Sequence, residues 1–513
     1  MLKTVLAVAL AFALFQTSYS HAFSLRTSAE DSAKAYVRAA LEAMGGEERL
    51  RSVKSVQLAG IGHTYLIEQS ERPEGPWIVN YEQFTERRDF VADALRRTSQ
   101  NRNIQSANWA ESPARVVVAG VAAVQNSQGK YFPGSTTQAA EAEETLALSP
   151  ERVLLTALAA KDLRAERDTT LQGSTQHVVA FGWRDATARL YLSAQTSLPT
   201  AIELTRAYPD SIFWGVWGDV RTRTYLSLWT LESGGLRYPR QWNVERNGIP
   251  YQEVTIAELA FNPVTTDGGA LTIPEDVREA FKKRGRTPIS DIALGRADKP
   301  ATEIAPGVVQ IPGRWNVALV KQDDGLVIIE APISSGYSAK VIAEAARRFP
   351  GVPIKAVVST SDSWPHIGGV REYVSREIPV YALDLNRPIL ERLLAARYTS
   401  YPDALERAQR KAKFRIVAAR TVLGAGANRI ELYPIRSETG ERMMMVYFPE
   451  HKLLYGSDLV QPQPDGSFFM PEYLLELIDA SKREKLAVKS IFAMHAGVIA
   501  WDVIEKAVEK ARG

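Results

Sequence analysis

The stretch from Ile354 to Gly369 constrains the fold of this chain more than any other. An apolar run, Ile354 to Val358, empties into the polar loop Ser359-Thr-Ser-Asp-Ser-Trp-Pro-His-Ile-Gly-Gly369, and the residues after the loop read as helix. A strand that ends in a polar loop and continues as helix belongs to an α/β layer, where reactive side chains gather at strand ends. One imidazole, His366, sits in that loop beside two glycines, so the loop is the first place to look for chemistry.

The rest of the chain sets bounds around it. At 513 residues it is too long for one hydrophobic core, and two domains are expected. Charged residues make up 24% and the net charge is only +3, with no long Lys/Arg block, so no nucleic-acid partner is implied. The N-terminus reads as a secretory signal over residues 1–22: Lys3, an apolar run from Val5 to Phe15, then polar and small residues through Ala22, with cleavage near Ser20 or Ala22. That run is shorter than the roughly 20 apolar residues needed to span a bilayer. The alternative is a retained N-terminal anchor helix. No later segment is long and apolar enough to span, so no transmembrane segment is expected after signal removal. The chain has no cysteine, which excludes disulfides, thiolate nucleophiles and cysteine metal ligands. A soluble periplasmic or secreted protein is the expectation.

Two patterns divide the mature chain. Ser28 to Met44 reads as an amphipathic helix through Ala33, Tyr36, Val37, Ala40, Leu41 and Met44, stopped by Gly45-Gly46. From Val53 to about Phe261 short alternating segments follow, among them Ser55–Ile61, Ala114–Ala119, Gln176–Phe181, Ala188–Leu192 and Thr200–Thr205, separated by turn signals such as Asn247-Gly248. Residues 28–263 are therefore read as a β-rich domain and 264–300, rich in Pro, Gly, Thr and Asp, as a linker with a basic helical piece around Val277 to Arg284 that presents a solvated face. Residues 301–513 alternate short apolar strands with helical segments, ending in a helix with Ile504, Ala507, Ala511 and Ala500 on one face. The aromatic cluster Phe213, Trp214, Trp217, Tyr225 and Trp229 either lines a groove or fills the sheet core, with core packing favoured.

Two resemblances follow from these residues. Ala40-Leu-Glu-Ala-Met-Gly-Gly46, the meandering strands and Ser197-Leu-Pro199 loosely resemble periplasmic carrier domains of the lipoprotein-carrier type, which implies a half-barrel sheet around an apolar groove. The loop from Thr360 resembles the metallo-β-lactamase superfamily signature Thr-His-x-His-x-Asp-His-x-Gly-Gly: Thr360, His366, Gly368 and Gly369 match, whereas Ser361 and Ser363 stand for the first two histidines and Pro365 for the aspartate. Together these imply an α+β chain, with an N-terminal half-barrel-like β domain and a C-terminal αβ/βα four-layer sandwich.

The second resemblance also implies a site. The superfamily's third histidine of the first metal falls on Glu438, its bridging aspartate on Asp458 after Tyr455-Gly-Ser, and its last histidine on His495 before Ala-Gly497. Serine hydroxyls are poor zinc ligands, so Ser361 and Ser363 leave the first metal position without donors. His366, Asp458 and His495 remain, two imidazoles and a carboxylate, which suffice for one zinc ion with positions open to water. Glu438 is then a fourth ligand or a base. His63, His177 and His451 stand without partners at ligand spacing, and no Gly-x-Ser-x-Gly elbow occurs.

Three function classes stay open. The first is an exported ligand-binding protein or pseudoenzyme that holds a small or hydrophobic ligand. The second is a single-metal hydrolase using His366, Asp458 and His495. The third is a structural or assembly partner in the cell envelope. The substrate has no readable code.

Overall fold

The computed structural model describes residues 29–68, 72, 74–103, 106–264 and 271–513. The proposed signal segment, residues 1–22, lies outside the described residues. The chain forms two compact units, one of residues up to 65, 79–206 and 220–286, the other of 66–78, 207–219 and 287–513.

In the first unit residues 29–43 are helical, and Ala33, Val37, Ala40, Leu41 and Met44 are buried along one face at helical spacing. Gly45 and Gly46 end the helix with φ of 117° and 108°, a backbone that side chains disfavour. At Gly45 even a methyl group is excluded, because a Cβ there lies 2.4 Å from the Gly235 carbonyl oxygen.

Thirteen strands form one antiparallel sheet. The first, Ser55–Tyr65, lies in the middle, paired on one side with Val79–Asp89 and on the other with the last, Ile249–Phe261. The chain steps outward strand by strand to Tyr131–Pro133 and passes through helices Thr136–Leu148 and Val153–Ala159. It then restarts at the far edge with Arg164–Leu171 and meanders back. Hairpin chemistry fixes this path: Asn247 and Gly248, with φ of 51° and 81°, supply the two-residue loop into the last strand. The sheet's apolar face, with Leu58, Phe181, Leu190, Leu204 and Ile256, packs in one core with the helical residues Val37, Leu41 and Leu154. The face expected to line a carrier groove is thus covered by the chain's own helices.

Two segments of the stretch read as one N-terminal domain, 66–78 and 207–219, belong to the second unit. The proposed aromatic cluster is split accordingly. Trp214 and Trp217 pack edge-on against Trp364, with ring centroids 4.9 and 4.8 Å away. Trp229 packs on the core of the first unit and Tyr225 on a small cluster around Tyr191. The stretch 264–300 is not a uniform linker either. Ile273 and, in the helix Glu275–Lys282, Val277 pack on Val116 and Ala123, while residues from 287 onward count with the second unit. The helix is the basic helical piece expected around Val277 to Arg284, and Val277 gives it a buried face rather than a wholly solvated one.

The second unit holds two sheets. In the seven-stranded one, the strands from Thr302–Ala305 to Gly325–Ile329 are antiparallel, and Ile354–Ser359, Val380–Leu383 and Phe414–Val417 continue it in parallel. Helix Ser335–Arg348 makes the first parallel crossover. The six-stranded sheet runs from Thr421–Leu423 to Ile499–Ala500. Ile430–Pro434, Met444–Phe448 and Leu453–Tyr455 are buried at every position, as are Val308–Ile311 and Gly325–Ile329, so both faces of these strands are covered. Helices Pro471–Arg483 and Trp501–Arg512 place Leu474, Leu477, Ile504 and Val508 on Met445, Leu454 and Ile491. The last helix buries Ile504 and Val508, whereas Ala500 and Ala511, expected on the same face, are exposed.

Candidate metal centre

Three loops that leave the ends of buried strands bring His366, Asp458 and His495 together. One ligand atom from each lies within 4.8 Å of the others, the group with this property found among the described residues. His366 lies in the short helix Trp364–Ile367 that follows strand Ile354–Ser359. Pro365 starts this turn and its carbonyl accepts from the Ile333 amide at 2.6 Å. Behind it the backbone packs closely: a Cβ at Gly369 would lie 2.1 Å from the Ser338 hydroxyl and one at Gly368 2.5 Å from the Ile333 carbonyl oxygen. Both glycines are needed for that approach, whether or not a metal binds.

Asp458 follows strand Leu453–Tyr455 through Gly456 and Ser457. Ser457 is fully buried with φ of 51°, and its hydroxyl shares a 2.7 Å hydrogen bond with Thr360. Ser457 therefore ties the Asp458 loop to the His366 loop. His495 follows strand Ser490–Phe492, in a turn pinned from the other sheet. Asn316 Nδ2 donates to the Ala493 and Ala496 carbonyls at 3.0 and 3.1 Å, and Gln310 Nε2 donates to Ala496 at 2.8 Å.

Within the cluster, His495 Nε2 lies 2.8 Å from Asp458 Oδ1 and His366 Nδ1 lies 3.7 Å from Asp458 Oδ2. Gln461 Nε2 donates to Asp458 Oδ1 at 3.1 Å. The Trp315 ring stands edge-on to His366 at 5.7 Å and the His495 ring at 5.9 Å. Burial pushes the His366 pKa down to about 4, so the ring is neutral at pH 7 with a lone pair to offer. Burial opposes ionisation of Asp458, but the two imidazoles and Gln461 outweigh it and hold its pKa below the usual carboxylate value. Neutral imidazole and ionised carboxylate are the protonation states that a metal requires.

The remaining sequence-derived positions fall outside this group. Ser361 Oγ lies 3.3 Å from His366 Nδ1 and accepts from the Ser363 amide at 3.2 Å, so Ser361 orients the His366 imidazole. Glu438 is exposed and is not a member of the convergent group. Its turn is built instead around Glu476, which accepts from the Thr439 and Gly440 amides at 3.1 and 2.9 Å. His63, His177 and His451 are held locally by Tyr65, Asp168 and Asn428 at 3.2, 3.0 and 2.7 Å.

Two acids near the cluster escaped the sequence reading. Glu330 is completely buried at the end of strand Gly325–Ile329, accepts from the Thr360 hydroxyl, and is pushed by burial up to about 8. Asp362 is 6% exposed and is pushed by burial up to about 7, with Arg442 Nε 4.0 Å away acting against the rise. A charged residue closing a wholly apolar strand was the available signal for Glu330. Asp362 carried none, since every loop of this kind is polar.

No protein-family description matches the chain, and no curated protein does. Solved structures with the metallo-β-lactamase fold resemble part of it. The metallo-β-lactamase from Pontibacter korlensis is 15% identical, over 43% of this chain and 100% of its own, at a TM-score of 0.33. That from Erythrobacter litoralis is 13% identical, over 43% and 99%, also at 0.33. The sec-alkylsulfatase Pisa1 from Pseudomonas sp. is 16% identical, over 42% of this chain but only 41% of its own, at 0.32.

Proposed function

We propose that His366, Asp458 and His495 hold one divalent cation, zinc by donor chemistry, and that the second unit is a single-metal hydrolase. The observation that carries this reading is the convergence of two imidazoles and an ionised carboxylate from three separate loops. A bound ion there would supply a water whose pKa is lowered to about 7 and a Lewis acid for the scissile group. The chain's own part is to present the donors. Ser361 fixes the His366 ring, Asn316 and Gln310 fix the His495 turn, and Gln461 with His495 leaves Asp458 Oδ2 as the nearer carboxylate oxygen to His366. Trp315 packs edge-on against the His366 ring, which is buried.

The finer fold reading, a half-barrel-like first unit and a four-layer αβ/βα second unit, belongs to this proposal and is supported by the strand order and the doubly covered strands. So does export to the periplasm or beyond, supported by the pattern of residues 1–22. A second reading, a ligand-binding pseudoenzyme, is favoured by one observation: Glu438, the candidate base, is exposed and outside the cluster. Metal analysis of protein purified without chelator or affinity metal decides between them. One zinc per chain together with turnover of p-nitrophenyl esters or phosphodiesters supports the hydrolase. Bound zinc without turnover supports the second reading, and no zinc at all removes the first.

A further inference from the structure

We propose that the second unit carries a separate site for a small, uncharged, largely apolar molecule, in a cavity of about 730 Å3. That volume lies within the roughly 300–1,000 Å3 of small-molecule sites. Its walls include Ala207, Pro209, Val216, Ile289, Ala339 and Pro402, with Tyr208 buried inside and Tyr401, half exposed, at the opening. None of His366, Asp458 and His495 lines it, although Gly368 does.

The walls are fastened without help from an occupant. The Asp219 amide donates to Arg397 O at 2.8 Å, Asp219 Oδ2 accepts from the Thr399 amide at 2.8 Å, and the Tyr398 hydroxyl donates to the Val216 carbonyl. Gly218 allows this approach: a Cβ there would sit 2.1 Å from Arg397 O. Ile289 N donates to Pro209 O at 2.7 Å, and the Ser334 hydroxyl donates to Ile289 O at 2.9 Å. The space is therefore preformed, which lowers the ordering cost of binding.

Charge selects the ligand class. Five charged side chains line the cavity, Asp219, Glu372, Arg376, Asp403 and Arg407. Glu372 is bound to Arg376 at 2.9 Å and to the Ser335 hydroxyl at 2.7 Å. Asp403 is gripped by Arg371 through two bonds of 2.6 and 3.0 Å. Asp219 accepts from the Thr399 and Ser400 amides, and Arg407 donates to the Pro402 carbonyl. A charged ligand would leave water for a cavity in which Glu372, Arg376 and Asp403 already hold ion-pair partners, which is costly. An uncharged one gains from the apolar walls and from the Tyr208 and Tyr401 rings.

The test uses N-phenyl-1-naphthylamine, an uncharged apolar probe, on the full chain. One saturable site per chain is expected, with slowed amide exchange at 207–219 and 335–340 in the saturated protein. Ala339→Trp and Ala404→Trp, which fill the cavity from different elements, should each weaken binding at least tenfold while His495→Ala leaves it unchanged. Non-saturable fluorescence, or protection confined to the strands of the first unit, would overturn the proposal. So would undiminished binding in either tryptophan variant that melts like the parent; the exchange pattern decides if neither variant folds.

Discussion

Glu330→Gln should stabilise the second unit, and by an amount that grows with pH. Glu330 is completely buried and its pKa rises from 4.5 to about 8. Below pH 4.5 the side chain is protonated in the folded and the unfolded chain alike, so it costs nothing. Between 4.5 and about 8 the unfolded chain releases the proton and the folded one keeps it, so stability falls with rising pH. At 1.36 kcal/mol per unit this span sets a ceiling of about 5 kcal/mol; local rearrangement and water entry reduce it, and about 2–3 kcal/mol is expected at pH 8. Glutamine keeps the acceptor for the Thr360 hydroxyl and carries no titratable proton. For a unit of this size the gain corresponds to roughly 5–10 °C in melting temperature. Calorimetry of parent and variant from pH 5 to 8.5 measures it, and Asp362, which titrates in both, cancels in the comparison. Melting curves that stay parallel across that range would refute the reasoning, since Glu330 would then ionise with an ordinary pKa.

Zinc titration calorimetry should give one site per chain, lost in His495→Ala and kept in His63→Ala, because His63 is bound by Tyr65 away from the cluster. Two tight sites in the parent would contradict the donor count. The triple change Ser361→His, Ser363→His and Pro365→Asp should raise capacity towards two ions, measured by metal analysis after gel filtration. Brief trypsin treatment should cut first within 282–286, where Lys282, Lys283, Arg284 and Arg286 are exposed just after a helix packed through Val277; earlier cutting in the strands near Thr224 would argue against the two-unit division. N-terminal sequencing of protein from the envelope fraction should begin near residue 20, and an intact Met1 would exclude signal cleavage.

Period and punctuation were legible where one face of an element decides its burial. The 29–43 helix and the strands around Leu58, Phe181 and Leu190 were readable because alternation and glycine stops act locally. The strands from Val308 to Phe492 were readable as short apolar runs bounded by turns. What escaped was non-local. Nothing near Trp214 or Trp217 announces that their partner is Trp364. The helical piece around Val277 to Arg284 was legible, and the helix spans Glu275–Lys282; what its polar majority masked was the packing of Val277 on Val116 and Ala123. In the site, the three residues that converge were legible because imidazole is rare, with 6 histidines in 513 residues, and their positions matched a known spacing. Glu438 was assigned by the same spacing and is exposed, because Glu476 on a distant helix closes its turn.

The loop that carries Ser361, Ser363 and His366 holds itself together. Its shape rests on contacts that need no metal: Pro365 O to the Ile333 amide, Thr360 O to the Met444 amide, and the Thr360–Ser457 hydroxyl pair. A loop held in this way keeps its shape without a ligand, so its shape is no argument for catalysis. The three converging donors are a different matter. Each sits on its own loop, and each loop is pinned by side chains such as Asn316, Gln310 and Ser457 that do little else. His366 is held neutral in a buried place beside an ionised Asp458, with Ser361, His495 and Gln461 as their partners, and these are the protonation states that a cation needs. Zinc affinity, more than turnover of any one substrate, is therefore the measurement that tests the proposed site.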